Sequence, residues 1–379
     1  MHKNWSYSNK PIAKIESFLK LIGVSENKLN FILNNKNKFF KKVPVIRNNK
    51  KRMTYKVIGE LSTIHESIKK HVFSNVVLPN YITGGRKGIS YIDDCRMHCD
   101  KSIIIQEDIK DFFPSITEEL IKKAFQYYMN FSPEVSMLLA KISTLEGSLV
   151  QGTTLSTDIA NLIFLEEEVA LSHEIQNMGG VYTRYVDDIT IGFKNEITNA
   201  DITKVKKMVG TIIIKSGLRL NKRKSKIMRD GQTKIVHGVK VIKEIRPTQK
   251  RKRDIRMYLF NFSKKVLCNE DVMTVLSSYF KIRGLVNTLK QQGDINHAEY
   301  MKQADDLLTS IDKKSAIKSI RAMRKLKNIK KLRTLYSKLK PLGKISDNIL
   351  KILDVEYKTC KRKLDNESRK LLILKNKII

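Results

Sequence analysis

Two adjacent carboxylates, Asp187 and Asp188, lie between apolar and β-branched flanks in Arg184-Tyr-Val-Asp-Asp-Ile-Thr-Ile-Gly192. That pattern predicts a β-hairpin with the acids at its turn. Like charges placed side by side repel unless a cation lies on or between them. The usual neutraliser is a hard divalent ion such as Mg²⁺, which takes carboxylate oxygens together with substrate phosphates. Taken alone, the stretch fits a solvated Asp-Asp turn equally well.

A second acidic segment lies upstream. The apolar run Ile103 to Ile105 leads into Gln106-Glu107-Asp108, and two aromatics follow at Phe112 and Phe113. A strand ending at Asp108 would set a third carboxylate beside the hairpin. Three acids on neighbouring strands make a two-metal site for in-line phosphoryl transfer, with ions about 3.5–4 Å apart. One ion lowers the pKa of an attacking 3′-hydroxyl, and the other holds the triphosphate and the leaving pyrophosphate.

Further segments follow in order. They are Gln151-Gly152-Thr-Thr-Leu-Ser156-Thr-Asp-Ile-Ala160-Asn161-Leu-Ile-Phe164, then Gly217-Leu-Arg-Leu-Asn221-Lys-Arg-Lys224-Ser-Lys226, then Val236-His-Gly238-Val-Lys-Val241. With Asp108-Ile-Lys-Asp-Phe-Phe-Pro-Ser-Ile116 and Tyr185 to Asp188, this series resembles the motifs of reverse transcriptases. Within them it is closest to the bacterial retron and group II intron branch. Thr157 stands where the second motif usually has proline.

The resemblance implies an α+β fold, a right-hand polymerase with fingers, palm and helical thumb. It makes Asp108, Asp187 and Asp188 catalytic, holding two Mg²⁺ ions (Mn²⁺ as an alternative) with help from the carbonyl of Ile109. It makes Phe113 the ring under the sugar that excludes a 2′-hydroxyl, since a bulky ring fills the space an extra oxygen needs. Phe112 would cover the nucleotide through its backbone, and Gln151 and Gly152 would approach it. Arg52 resembles the fingers arginine on the triphosphate, with Lys51 and Lys56 as rivals because the usual continuation after it is missing. Lys224 would act near the pyrophosphate as cation or general acid. Ser156 and Asn161 would hold their helix against the palm.

Compactness favours a retron enzyme over a group II intron protein. Retron enzymes commonly carry Asn-Ala-x-x-His before the first catalytic motif and Val-Thr-Gly near the fifth. This chain has Asp94-Cys-Arg-Met-His98 and Val236-His237-Gly238. A retron enzyme is expected to bind a structured non-coding RNA and dNTPs, and to prime DNA synthesis from a guanosine 2′-hydroxyl. Its product is a branched RNA–DNA hybrid, and a separately encoded effector and a role against phage go with it. The alternatives are a group II intron, diversity-generating or abortive-infection enzyme, or a catalytically silent RNA-binding protein on the same scaffold.

Charge and composition bound the rest. Lys+Arg number 73 against 38 Asp+Glu, a formal +35, which a polyanionic partner would relieve. The four cysteines make no disulfide framework and suit a reducing cytoplasm. No long apolar run or signal peptide is evident, so a soluble cytoplasmic protein without a membrane partner is expected. Spacing predicts helices over 1–40 with Ser25 as a cap, strands within 43–60 around a polar turn at 47–51, a helix at 61–77, and one long helix from Leu155 to Met178. The segments are an N-terminal helical extension (1–40), fingers and palm (41–245), helical thumb (246–312) and basic helical extension (313–379). Arg86 and Lys87 in a glycine-rich loop, His98, Arg251 in the run 250–253, and Lys325, Lys327, Lys330 and Lys331 are the candidate RNA contacts. In the extension, Ile317, Ile320, Met323, Leu326 and Ile329 recur every third residue, so one face would pack and the other offer cations to phosphate. A merely solvated lysine face is the alternative.

Overall fold

The structure, a computed structural model, describes residues 5–47 and 50–376. The expected polar turn at Asn48-Asn49 lies outside the described residues, as do residues 1–4 and 377–379. The described chain forms two compact units, 1–245 and 246–379.

At the centre of the first unit is a four-stranded antiparallel sheet. Its order is Lys226–Met228, Ile103–Asp108, Asp188–Phe193, Gly180–Tyr185. Both faces are covered, so the second strand, an inner one, is buried along nearly its whole length, including Glu107 and Asp108. Ile103 and Ile105 enter the larger core, and Ile104 enters a smaller one with Ile92, Cys95, Val236 and Val239. Helices Gly59–His71, Glu118–Met129 and Pro133–Ser143 supply Leu61, Ile64, Ile68, Phe125 and Leu139 to the larger core. A two-stranded hairpin, Phe40–Arg47 with Lys50–Val57, precedes them.

Local expectations fail at three places in this unit. The N-terminal segment is not helical throughout: Ser6–Tyr7 pairs as a strand with Val76–Val77, which also shortens the helix expected at 61–77. Ser25 stands at an N-cap position, but its side chain makes no capping bond. The expected helix from Leu155 to Met178 is two helices, Ser156–Ala160 and Leu165–Asn177. Between them the Asn161 carbonyl accepts a bond from Arg184 at 3.2 Å instead of continuing a helical ladder. A buried guanidinium competes successfully for that acceptor.

The second unit is helical: Gln249–Leu267, Val272–Gln291, His297–Thr309, Lys313–Arg321, Ile329–Leu339 and Asp347–Asn376. One apolar core joins them, from Ile255 and Phe262 through Tyr279 and Leu289 to Ile320, Leu332 and Leu353. The three-residue repeat does not lie along one helix, because a 3₁₀ turn at Ala322–Lys325 interrupts it. Ile320 and Met323 still reach the core. No described helix is long and apolar enough to cross a membrane.

Candidate active site

Antiparallel register sets Asp108 directly opposite Asp188, and Tyr185 opposite Asp188 from the other side. Val186 takes a left-handed φ of 62°, which lets two residues reverse the chain and leaves Asp187 at the tip. The Ile109 amide donates to the Asp187 carbonyl at 3.0 Å, tying the end of one strand to the tip of the other.

A buried base holds this turn. Arg184 and Glu168 both have wholly buried side chains. Arg184 Nε donates to Glu168 Oε1 at 2.5 Å and Nη2 to Oε2 at 2.9 Å, while the Tyr182 hydroxyl donates to Oε1 at 2.7 Å. Arg184 Nη1 also reaches Asn161 Oδ1 and the Val186 carbonyl, each at 3.2 Å. Burial opposes the guanidinium charge, but Glu168 outweighs it and holds the pKa of Arg184 above its ordinary value. From the other side the glycine-rich loop docks on the hairpin. Arg184 donates its amide to the Tyr81 carbonyl at 2.8 Å and accepts from the Thr83 amide at 2.9 Å. Gly84 is obligatory there, since a β-carbon would lie 2.4 Å from the Val186 nitrogen.

Electrostatics mark the acids as strained neighbours. Burial, and Asp108 beside it, push Asp187 up from its ordinary range. Burial and then Asp187 push Asp188 up to about 6. Asp108 is met by Lys224 Nζ at 2.5 Å from Oδ2 and by Asn221 Nδ2 at 3.0 Å from Oδ1. Burial disfavours the Lys224 charge, but the bond to Asp108 raises its pKa overall. An all-oxygen set of crowded carboxylates fits a hard divalent cation. Among the described residues no three His, Cys, Asp or Glu side chains close into a ready-made metal cage.

The remaining candidates lie at varied distances from this centre. The Phe112 ring is buried, packed against Phe164 and Phe113 with centroids 6.2 and 5.7 Å away, and Phe113 is half-buried. Gln151 and Gly152 are exposed, and the Gln151 carbonyl accepts the Tyr55 amide at 2.8 Å. Gly152 has a φ of 102°, and a β-carbon there would lie 2.9 Å from the Tyr55 carbonyl. The close approach that requires glycine is therefore to the two-stranded hairpin. On that hairpin Arg52 is exposed, and its charge is felt at Asp187. Lys56 is exposed, and of Lys51 only the backbone is described.

Several expected RNA contacts are spoken for. His98 is 1% exposed and bonded through Nε2 to Thr183 Oγ1 at 2.7 Å, and burial pushes it down to about 4. It is a core histidine, out of reach of RNA. Arg86 Nη1 donates to the Pro79 and Ile82 carbonyls at 2.9 and 3.1 Å, holding its own loop, whereas Lys87 is exposed. In the second unit Arg251 is half-buried, and its neighbour Lys252 pairs with the buried Asp294 at 2.7 Å. Arg324 forks onto Glu356 at 2.6 and 2.8 Å. Lys325, Lys327, Lys330 and Lys331 are exposed.

Comparison with known proteins decides the family. The reverse transcriptase (RNA-dependent DNA polymerase) family matches residues 36–259. The Retron Se72 reverse transcriptase of Salmonella heidelberg is 31% identical over 264 residues, covering 68% of this chain and 70% of that protein. The chain belongs to the retron-type reverse transcriptases. The Escherichia coli Retron Ec48 and Ec86 reverse transcriptases are 29% and 25% identical, over 63% and 51% of this chain and 62% and 59% of theirs. Among solved structures, telomerase from Candida albicans in complex with a telomeric RNA fragment matches at TM-score 0.39 and 12% identity, over 85% of this chain and 63% of that one. A likeness at that level adds nothing to the assignment.

This reverse transcriptase is an RNA-directed DNA polymerase with the mixed helix-and-sheet fold of a right-hand polymerase. Sequence reasoning missed several buried contacts around these acids. Glu168 is one: it looked like an ordinary acid among three on a helix, Glu166 to Glu168. Arg184, immediately before the Tyr-Val-Asp-Asp turn and the one charged residue of the strand Gly180–Tyr185, was the available signal that a buried partner must exist. The pairing of Asp94 with His237, at 2.8 Å between Oδ2 and Nε2, is another.

Proposed function

We propose that this reverse transcriptase serves a retron. It copies part of a cognate structured RNA into DNA, starting from a guanosine 2′-hydroxyl, and leaves a branched RNA–DNA hybrid. The single observation that carries its chemistry is the register that sets Asp108 against Asp188 with Asp187 at the adjoining tip. The retron names of its relatives support the choice of template.

In this reading Asp108, Asp187 and Asp188, with the Ile109 carbonyl, hold two Mg²⁺ ions, and Mn²⁺ can substitute. Bound there, the metal supplies a more acidic attacking hydroxyl and charge relief for the pyrophosphate. Lys224 exchanges its bond to Asp108 for the phosphates, as cation or proton donor. Arg52 binds the triphosphate through its planar fork. Phe113 bounds the sugar, the backbone of Phe112 covers the nucleotide, and Gln151 and Gly152 edge the same space. Residues 41–245 act as fingers and palm, 246–312 as thumb and 313–379 as a basic extension. Lys87, Lys325, Lys327, Lys330 and Lys331 contact the RNA backbone. The enzyme works in the cytoplasm, and its hybrid governs a separately encoded effector in defence against phage.

Purification of the enzyme with its native nucleic acid, followed by sequencing, tests this. A short unique DNA joined to RNA through a 2′-linkage is expected. Heterogeneous or absent cDNA from an active enzyme would overturn the retron assignment. Asp187→Asn should abolish primer extension and retain RNA binding, and full extension by that variant would overturn the acid assignment.

A further inference from the structure

His237 occupies a left-handed backbone position that residues other than glycine seldom take. It lies in the two-residue loop between paired strands Ile235–Val236 and Val239–Val241, where Val236 faces Val239. Both loop residues have positive φ, 48° at His237 and 77° at Gly238. A two-residue loop of this kind prefers Asn-Gly. A histidine kept there works against the local backbone preference, so the side chain has to be explained by what it touches.

It touches three things. Its Nε2 lies 2.8 Å from Asp94 Oδ2, its Nδ1 lies 3.7 Å from Asp188 Oδ2, and its ring centroid is 4.8 Å from that of Tyr185. Asp94 is fully buried, and its other oxygen accepts the Thr83 hydroxyl at 2.6 Å. Thr83 also bonds to the Arg184 carbonyl through its amide. A polar chain therefore leaves the base of the catalytic hairpin, passes through Thr83, Asp94 and His237, and returns to the hairpin at Asp188. Burial raises Asp94, but the His237 bond and the nearby histidines outweigh it and leave the carboxyl below its ordinary range.

We infer that His237 is a positioning residue of the polymerase reaction: gripped by buried Asp94 and packed on Tyr185, it fixes where Asp188 stands beside Asp108. The inference rests on the proposed role of the three acids. Side chains that orient metal-binding groups in this way change metal affinity or activity by about 10–100-fold when removed. His237→Asn is the informative variant, because asparagine suits the loop and is too short to bridge Asp94 and Asp188.

The test measures three quantities on the full chain. Primer extension gives kcat and the dNTP KM, electron paramagnetic resonance gives Mn²⁺ affinity of the enzyme alone, and thermal unfolding gives Tm. His237→Asn should lower kcat and weaken Mn²⁺ binding by about tenfold, with KM within twofold and Tm unchanged or higher. Asp94→Asn should act in the same direction, and the double variant should be no worse than the more damaging single one. Wild-type kcat and Mn²⁺ affinity in His237→Asn would overturn the inference, as would effects of the two singles that multiply in the double. A loss of activity that tracks a lower Tm would also overturn it, by making the role structural. Asp187→Asn is the control: if it too is fully active, the acid assignment fails, whereas silence of His237→Asn alone removes only this inference.

Discussion

Glu168→Gln should destabilise the first unit severely. Gln keeps the size of the side chain but leaves Arg184 with an uncompensated charge at a site where both side chains are wholly buried. Two charge-assisted bonds, at 2.5 and 2.9 Å, become weak or are lost. Removing one partner of a buried pair costs about 3–5 kcal/mol. For a unit of residues 1–245, at about 2–4 °C per kcal/mol, that lowers Tm by roughly 6–20 °C. The chain has a single tryptophan, Trp5, packed edge-on against Tyr128 at 5.0 Å within this unit. Its fluorescence during urea unfolding therefore reports the right transition. The urea midpoint should fall with an unchanged slope. The pair of changes Glu168→Leu and Arg184→Met removes both charges together but should recover only part of the loss, because the Tyr182 hydroxyl and the Asn161 carbonyl are left without their buried partners. DNA synthesis should not return with it, since Arg184 also holds the Val186 carbonyl. A cost below about 1 kcal/mol for Glu168→Gln would refute the reasoning, because it would put the pair in the range of exposed ion pairs.

Gly84→Ala places a β-carbon 2.4 Å from the Val186 nitrogen, so the turn that carries Asp187 must move. Primer extension should fall at least tenfold while RNA binding by filter retention persists, and normal extension would show that the turn tolerates the shift. Phe113→Ala should raise ribonucleotide incorporation, read as alkali-labile products, and unchanged sugar selectivity would remove Phe113 from the nucleotide site. Replacing Lys325, Lys327, Lys330 and Lys331 with Gln should weaken binding of the cognate RNA and reduce its salt slope by about 3. An unaltered slope would return those lysines to plain solvation.

The strand ending at Asp108, the hairpin and the acid turn were legible because their signals are local. An apolar run ending in Asp108 and β-branched flanks around Asp187-Asp188 each point to strands without reference to distant residues. The break at Asn161 was not legible, because the helical periodicity of 155–178 continues through it. What ends the helix is a guanidinium from another segment. His98 misled for the same reason in reverse: sequence spacing from Asp108 is close, but His98 ends the helix Tyr91–Met97 and its buried imidazole meets Thr183 on a distant strand. Charge counting could not separate Lys252 and Arg324, which are spent on Asp294 and Glu356, from the exposed lysines nearby. Which cations stay available is decided by tertiary pairing.

Arg184 gathers bonds from Glu168, Asn161, Val186, Tyr81 and Thr83, which come from four stretches of chain read separately in the sequence. For anyone building chimeras of such enzymes, this makes the glycine-rich loop, the Asn161 break, the Glu168 helix and the acid hairpin one transplantable block. Recombination breakpoints that fall between 81 and 193 would mix halves of a buried contact set that has no solvent to absorb a mismatch. Breakpoints outside that span leave it whole.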